Sequence, residues 1–139
     1  MKILLAEDEE GIAVYIRTIM EKYAEIEHVK TLNDCMDRVK KYPFDVVLLD
    51  LKLDDSPALL TVAEIKNIRK LQPQAALIVN TGMGDSYGKR ALEEGADFVL
   101  AKEPETMERK AFCAALYAVL QKKGSLAESM EMLKKVADA

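Results

Sequence analysis

A chain of 139 residues, half of them hydrophobic and 32% charged, has the length of one domain with one core and needs no disulfide or metal staple. Its formal charge of −4 argues against nucleic acid as a direct partner, with Lys122-Lys123 and Lys134-Lys135 reading as solvated helix faces. No apolar run approaches the roughly 18 residues of a membrane span and no secretory pattern opens the chain, so a cytoplasmic protein without membrane association is expected.

Ile3-Leu4-Leu5-Ala6 is a short strand-like run that ends in the acidic pair Glu7-Asp8. Ile12, Ile16, Ile19, Met20 and Tyr23 recur at helical spacing and predict a helix from about Glu10 to Tyr23. A strand near Glu27 to Thr31 follows, then a helix with Asn33 as its N-cap that stops before Tyr42-Pro43. Phe44 opens a strand whose run Val46-Val47-Leu48-Leu49 reaches Asp50. A loop with Asp54, Asp55 and Pro57 leads to a third helix, marked by Val62, Ile65, Ile68 and Leu71 and ended by Pro73.

Leu77-Ile78-Val79 form the fourth strand, ending at Asn80-Thr81. Asp85 to Glu94 reads as a short helix closed by Gly95, which takes the left-handed position past a helix end most cheaply. Phe98-Val99-Leu100-Ala101 is the fifth strand and runs into Lys102. Phe112, Ala115, Leu116, Val119 and Leu120 then stripe a long helix from about Glu105 to Lys123. Gly124 breaks it; Ser125 and Glu128 make a capping box for a sixth helix carrying Leu126, Met130, Leu133 and Val136.

Strict alternation of strands and helices implies a parallel sheet with helices on both faces, a doubly wound α/β fold. Five strands commonly take the order 2-1-3-4-5, and the ligand crevice then opens between strands one and three, the two that end in Glu7-Asp8 and Asp50. The expected organisation is residues 1–123 as one domain and 124–139 as an amphipathic extension. That extension is a terminal helix packed on its own domain, a dimerisation element or the start of a linker. Cys35 and Cys113 lack metal or redox spacing and read as reduced packing residues, and His28 as neither ligand nor catalyst.

Three carboxylates, a hydroxyl and an ammonium thus converge at the strand ends. Glu7, Asp8 and Asp50 repel one another unless a cation lies between them, and an oxygen-only donor set suits Mg²⁺. Asp50, alone after the most apolar strand, can attack an activated phosphoryl group to form an acyl phosphate. Lys102 would neutralise the phosphoryl oxygens and Thr81 would donate to one of them.

These residues, in this order, resemble the receiver domain of two-component response regulators over Met1 to about Lys123. The resemblance implies a flavodoxin-like fold and an acidic pair, Glu7 and Asp8, that binds Mg²⁺ with Asp50. It implies Asp50 as phosphoacceptor, Thr81 and Lys102 as phosphoryl contacts, and the backbone carbonyl of Lys52 as the remaining metal ligand. It implies phosphoryl transfer from a sensor histidine kinase or histidine phosphotransfer protein, a downstream protein target, and a signalling domain that catalyses its own aspartyl phosphorylation and dephosphorylation rather than an enzyme; the sixth helix, as a dimerisation element, would make a homodimer. If the chain is complete, with no output domain after Lys123, the output is expected to be a protein contact.

Three stretches depart from the family pattern. Glu103 separates Lys102 from Pro104, where the family usually has a Lys-Pro pair joined through a cis bond. Val99 stands where a switching Tyr or Phe is common, and Phe98 lies one residue off, on the other face unless the strand bulges. The loop Leu53-Asp54-Asp55-Ser56-Pro57-Ala58 lacks the usual Met-Pro and Asp-Gly pairs. Lys52 and Met83 occupy the two positions that tune phosphoryl lifetime, and neither orients a hydrolytic water well, so a long-lived phosphoprotein is expected.

Other readings fit less of the pattern. A degenerate receiver acting as a phosphorylation-independent interaction module is motivated by Val99 and the altered loops. A phosphohydrolase of the haloacid dehalogenase type needs a second acid two residues past the nucleophile, where Lys52 sits. The glycines of Thr81-Gly82-Met83-Gly84-Asp85 fail a nucleotide-loop spacing, because the third glycine falls at Gly88 instead of Tyr87.

Overall fold

The four apolar runs and the short second strand all form strands in the computed structural model, which describes residues 1–82, 85–124 and 128–139, without the side chains of residues 85 and 128–130. In chain order the elements are β1 (Lys2–Ala6), α1 (Glu10–Met20), β2 (Glu25–Val29), α2 (Leu32–Lys41), β3 (Val46–Leu49) and α3 (Ala58–Leu71). β4 (Ala76–Thr81), α4 (Asp85–Glu94), β5 (Phe98–Ala101), α5 (Pro104–Met107), α6 (Arg109–Lys122) and α7 (Glu128–Asp138) complete the chain. The strands are parallel, in the order β2-β1-β3-β4-β5. This is the doubly wound, flavodoxin-like sheet with a further C-terminal helix.

Strand alternation divides the core in two. Leu4, Ala6, Val47, Leu49, Leu77 and Val79 pack against α2, α3 and α4 through Cys35, Val39, Val62, Ile65, Ile68 and Ala91. Ile3, Leu5, Val46, Leu48, Ala76, Ile78 and Leu100 face α1 and α6 through Ala13, Ile16, Met20, Phe112, Cys113 and Leu116. Burial on both faces is why the central strands read as unbroken apolar runs. Leu133 of α7 is fully buried in the second cluster, so α7 packs on its own domain, with α6 as its main neighbour. The capping box expected at Ser125, and Leu126 and the Met130 side chain, lie outside the described residues.

Several boundaries differ from the sequence reading, each for a local reason. Thr31 rather than Asn33 caps α2: its backbone is extended (φ −124°, ψ 154°) and its side chain accepts from the Asp34 amide at 3.0 Å. β2 therefore ends two residues earlier than expected. α1 stops at Met20, whose carbonyl accepts from both Tyr23 and Ala24, although Tyr23 stays buried. The long final helix is two helices, α5 and α6, because Glu108 is extended in ψ (φ −57°, ψ 140°) and Glu103 and Thr106 form a capping box around Pro104 at N1.

At the far end of the sheet Arg69 binds together three segments. It donates to the Gly95 carbonyl at 3.1 Å, the Ala75 carbonyl at 2.8 Å and the Asp97 carboxylate at 2.6 Å. Asp97 also accepts from the Leu77 amide at 2.9 Å and pairs with Lys123 at 3.1 Å. Gly95 closes α4 at φ +123°, a conformation open to glycine. Cys35 and Cys113 are buried free thiols, and burial pushes Cys35 up to about 12. Among the described residues no helix is long and apolar enough to cross a membrane.

Candidate functional site

The site follows from strand parity. Glu7 continues the Ile3-Leu5 side of β1, Asp50 the Val46-Leu48 side of β3, and Lys102 the Leu100 side of β5, so all three extend the face that packs on α1 and α6. Three backbone bonds carry the sheet past its formal ends: the Glu7 amide donates to the Val29 carbonyl at 3.0 Å, the Asp50 amide to the Ala6 carbonyl at 2.9 Å and the Lys102 amide to the Thr81 carbonyl at 3.0 Å. Side chains separated by two intervening strand positions are thereby brought to one point.

There the Lys102 ammonium lies 2.7 Å from Glu7 Oε1 and 3.0 Å from Asp50 Oδ2. Glu7 is 1% exposed and Asp50 5%, so this is an ion cluster largely removed from water. Asp8 completes the acidic group: ligand oxygens of Glu7, Asp8 and Asp50 lie within 4.8 Å of one another. The Lys52 amide donates to Asp50 Oδ1 at 3.4 Å, and the Glu9 amide to Glu7 Oε2 at 3.2 Å. Thr81 is buried on the Val79 face of β4, and its carbonyl anchors the Lys102 backbone.

Electrostatics follow from burial and crowding. Burial pushes the Glu7 carboxyl up to about 8; the Lys102 ammonium offsets part of the shift, and the Asp50 carboxyl adds to it. Burial also raises Asp50, with Glu7 and Lys102 opposing. Burial alone would lower Lys102, but hydrogen bonds and charge from Glu7 and Asp50 outweigh it and hold the ammonium above its ordinary value. Without a metal, burial thus favours the protonated form of Glu7, and Lys102 supplies a positive charge between Glu7 and Asp50. Three carboxyls with no imidazole or thiolate among them fit a hard divalent cation such as Mg²⁺.

A family profile described as response regulator receiver domain matches residues 3–115. The chain belongs to this family. No curated protein matches it in sequence. Among solved structures, the receiver domain of a CheY-like protein from Methanospirillum hungatei is 22% identical, with TM-score 0.78, 88% of this chain and 95% of that one being covered. The non-phosphorylated HemR receiver domain from Leptospira biflexa is 26% identical, with TM-score 0.73 and coverages of 91% and 96%. A response regulator from Burkholderia pseudomallei, solved with a phosphorylated aspartic acid, a calcium ion and citrate, is 23% identical, with TM-score 0.68 and coverages of 98% and 72%.

The unusual stretches of this receiver domain have defined structures. β5 pairs without a bulge, Ile78 with Phe98 and Val79 with Val99, so Val99 shares the Val79 and Thr81 face while Phe98 lies on the other and is exposed. Val99 sits under α4, its Cγ1 3.2 Å from where a Cβ on Gly88 would be. The Glu103–Pro104 bond is trans and starts α5. Leu53 and Ser56 close the loop after Asp50 as a bridge, and Asp55 at its tip accepts from the Leu32 and Asn33 amides at 2.6 and 3.0 Å. Those amides outweigh the cost of burial and hold the Asp55 carboxyl below its ordinary value.

Sequence reasoning passed over some of the groups around the site. A ring nitrogen of His28 lies 2.8 Å from the Glu7 carbonyl, buttressing the backbone of an acidic residue without touching its carboxyl. Thr106 bonds to the Ala101 carbonyl just before Lys102, and Tyr15 to the Met107 carbonyl at the end of α5. The spacing Glu103-Pro104-Glu105-Thr106, with a proline at N1, was the available signal for the first of these. Met83, one of the two lifetime positions, lies outside the described residues.

Proposed function

We propose that the chain is the phosphoacceptor of a two-component phosphorelay, with Asp50 as the residue modified. The observation that carries this reading is the Lys102 ammonium seated between Glu7 and Asp50 beside a three-carboxyl cluster. A phosphorylated aspartate in the Burkholderia pseudomallei relative supports it. In the step, an Asp50 carboxylate oxygen forms a bond to phosphorus as the bond from phosphorus to a donor histidine nitrogen breaks. The departing imidazole keeps the bonding electron pair and takes a proton from solvent.

Glu7, Asp8, Asp50 and the Lys52 carbonyl would hold Mg²⁺, which when bound cancels carboxylate charge and polarises the phosphoryl oxygens. Lys102 leaves its ion pair with Asp50 and takes a phosphoryl oxygen, and Thr81 donates to another. The added charge of about −2 then biases the surface around the Thr81 loop and α4. On this reading residues 1–123 form the receiver and 124–139 a helical extension on it; the domain works in the cytoplasm, takes its phosphoryl group from a sensor kinase or histidine phosphotransfer protein and signals to a protein target.

Incubation with Mg²⁺ and phosphoramidate should add one phosphate to the intact mass, abolished by chelation and by Asp50→Asn. No mass gain with any small donor or phosphohistidine protein overturns the reading. Val99 in place of the usual aromatic, packed so close under Gly88 that a Cβ there would lie 3.2 Å from its Cγ1, favours one other, a constitutive interaction module whose α4–β5 face does not respond to the site. Absence of millimolar Mg²⁺ binding near Glu7 and Asp8 would decide for that module.

A further inference from the structure

Within the turn that carries Lys102, one hydroxyl reaches both sides of the lysine. Thr106 Oγ1 bonds to the Ala101 carbonyl, lies 3.0 Å from the Glu103 carbonyl and accepts from the Glu103 amide at 3.3 Å. A hydroxyl has one proton and two lone pairs, so it can serve one carbonyl at a time while accepting from the amide. Its contacts therefore bracket Lys102, reaching the residue before it and the residue after it. The side chain of Thr106 is the only one within α5 with this reach among the described residues, and it sits where a trans Glu103–Pro104 bond replaces a direct Lys-Pro link.

Two further side chains hold the elements on either side of that turn, β5 before it and the end of α5 after it. The Tyr15 hydroxyl, from α1, donates to the Met107 carbonyl at 2.6 Å. Asn80 Nδ2, from β4, donates to the Leu100 carbonyl at 3.1 Å and approaches Met107 Sδ at 3.5 Å. Asn80 is 2% exposed, and its Oδ1 is buried with no hydrogen-bond partner among the described residues. A buried amide with an unpaired oxygen is costly, yet its donor end is spent on the strand that delivers Lys102. Beyond the capping box, the Tyr15 and Asn80 bonds tie this helix of 4 residues and its preceding strand to α1 and β4. A lysine has four rotatable side-chain bonds, and its ammonium is placed well only if its backbone is.

We propose that Thr106, supported by Tyr15, is a positioning residue that fixes the backbone on both sides of Lys102 and so holds its ammonium between Glu7 and Asp50. Its consequence for rate rests on the reading of Asp50 as phosphoacceptor; its consequence for Lys102 does not. The experiment therefore has two arms, run on the full chain as wild type, Thr106→Ala, Thr106→Ser, Tyr15→Phe, Lys102→Ala and the double variant Thr106→Ala/Lys102→Ala.

In the first arm, phosphorylation of Asp50 by phosphoramidate and Mg²⁺ should slow about tenfold in Thr106→Ala, the scale of loss expected when a catalytic group is displaced by less than an ångström. Thr106→Ser should recover to within about twofold, and Thr106→Ala should cost less than about twofold when Lys102 is already alanine. An unchanged rate, or the same tenfold loss without Lys102, overturns the proposal. In the second arm, the ¹⁵Nζ resonance of Lys102, assigned by its loss in Lys102→Ala, should be sharp in metal-free wild type and Thr106→Ser and broadened in Thr106→Ala. A resonance unchanged in Thr106→Ala overturns the proposal even if wild type accepts no phosphate, a result that would by itself overturn only the functional reading. Tyr15→Phe, at a partly exposed position where folding is not at risk, should broaden the same resonance, and its failure to do so removes Tyr15 from the arrangement.

Discussion

Raising the pH from 6 to 8 should tighten Mg²⁺ binding roughly fiftyfold, and Glu7 is the reason. Its carboxyl is 1% exposed and pushed up to about 8, so about one molecule in a hundred has it ionised at pH 6 and about half at pH 8. A carboxyl must lose its proton to ligate, so binding releases one proton and affinity climbs about tenfold per pH unit until it levels off above about 8. Backbone NMR titrations at pH 6, 7, 8 and 9, followed at residues 6–9 and 50–52, read this directly. Equal affinity at pH 6 and 8 would refute the reasoning, since Glu7 would then be ionised throughout or not a ligand. In Glu7→Gln the affinity should be weaker at pH 8 and nearly flat with pH.

The same shift acts on stability with the opposite sign. Because the folded value for Glu7 lies above its ordinary 4.5, the folded metal-free protein holds a proton that the unfolded chain has lost between those values. Its stability therefore falls as the pH rises from about 5 to 8, and Asp50, also raised, adds to the slope. Lys102, raised above 10.5, contributes stability that is lost only at higher pH. Urea unfolding of Glu7→Gln without metal should show a gain of roughly 2–4 kcal/mol at pH 8 and a flatter profile.

Arg69→Met should cost about 3 kcal/mol in urea unfolding, because it strips the Gly95 and Ala75 carbonyls and the partly buried Asp97 of one shared donor; a loss under about 1 kcal/mol would show that water replaces it. Leu133→Ala should cost about 2–5 kcal/mol, since that side chain is fully buried against the α1 and α6 face; a neutral result would mean that α7 is not docked in solution. Phospho-Asp50, once formed, should last minutes to hours at neutral pH, because the exposed Lys52 orients no hydrolytic water; a half-life of seconds would contradict this.

The fold and the candidate site were legible for one reason: parallel strands buried on both faces show as short apolar runs, and their ends share one edge of the sheet. Glu7, Asp50 and Lys102 could be grouped from that alone. What the pattern hid was nonlocal or internal to a helical period. Asp55 reaches back to the amides of Leu32 and Asn33, a contact no spacing rule encodes. The break at Glu108 lies one turn ahead of the stripe that begins at Phe112, with neither glycine nor proline to mark it, and glutamate is a good helix former, so one long helix was the natural reading. Asn33 was a fair N-cap by residue type, but Thr31 has the three-residue spacing to Asp34 that the geometry uses. His28 had no partner motif because its partner is a backbone carbonyl.

The central claim is that Asp50 itself receives the phosphoryl group. Protein treated with phosphoramidate and Mg²⁺, reduced with borohydride to convert an acyl phosphate to the alcohol, and mapped by peptide mass spectrometry locates it directly. The account predicts conversion at residue 50 alone, dependent on Mg²⁺. Conversion at Glu7 or Asp8, or at no carboxyl in fully folded protein, would contradict it.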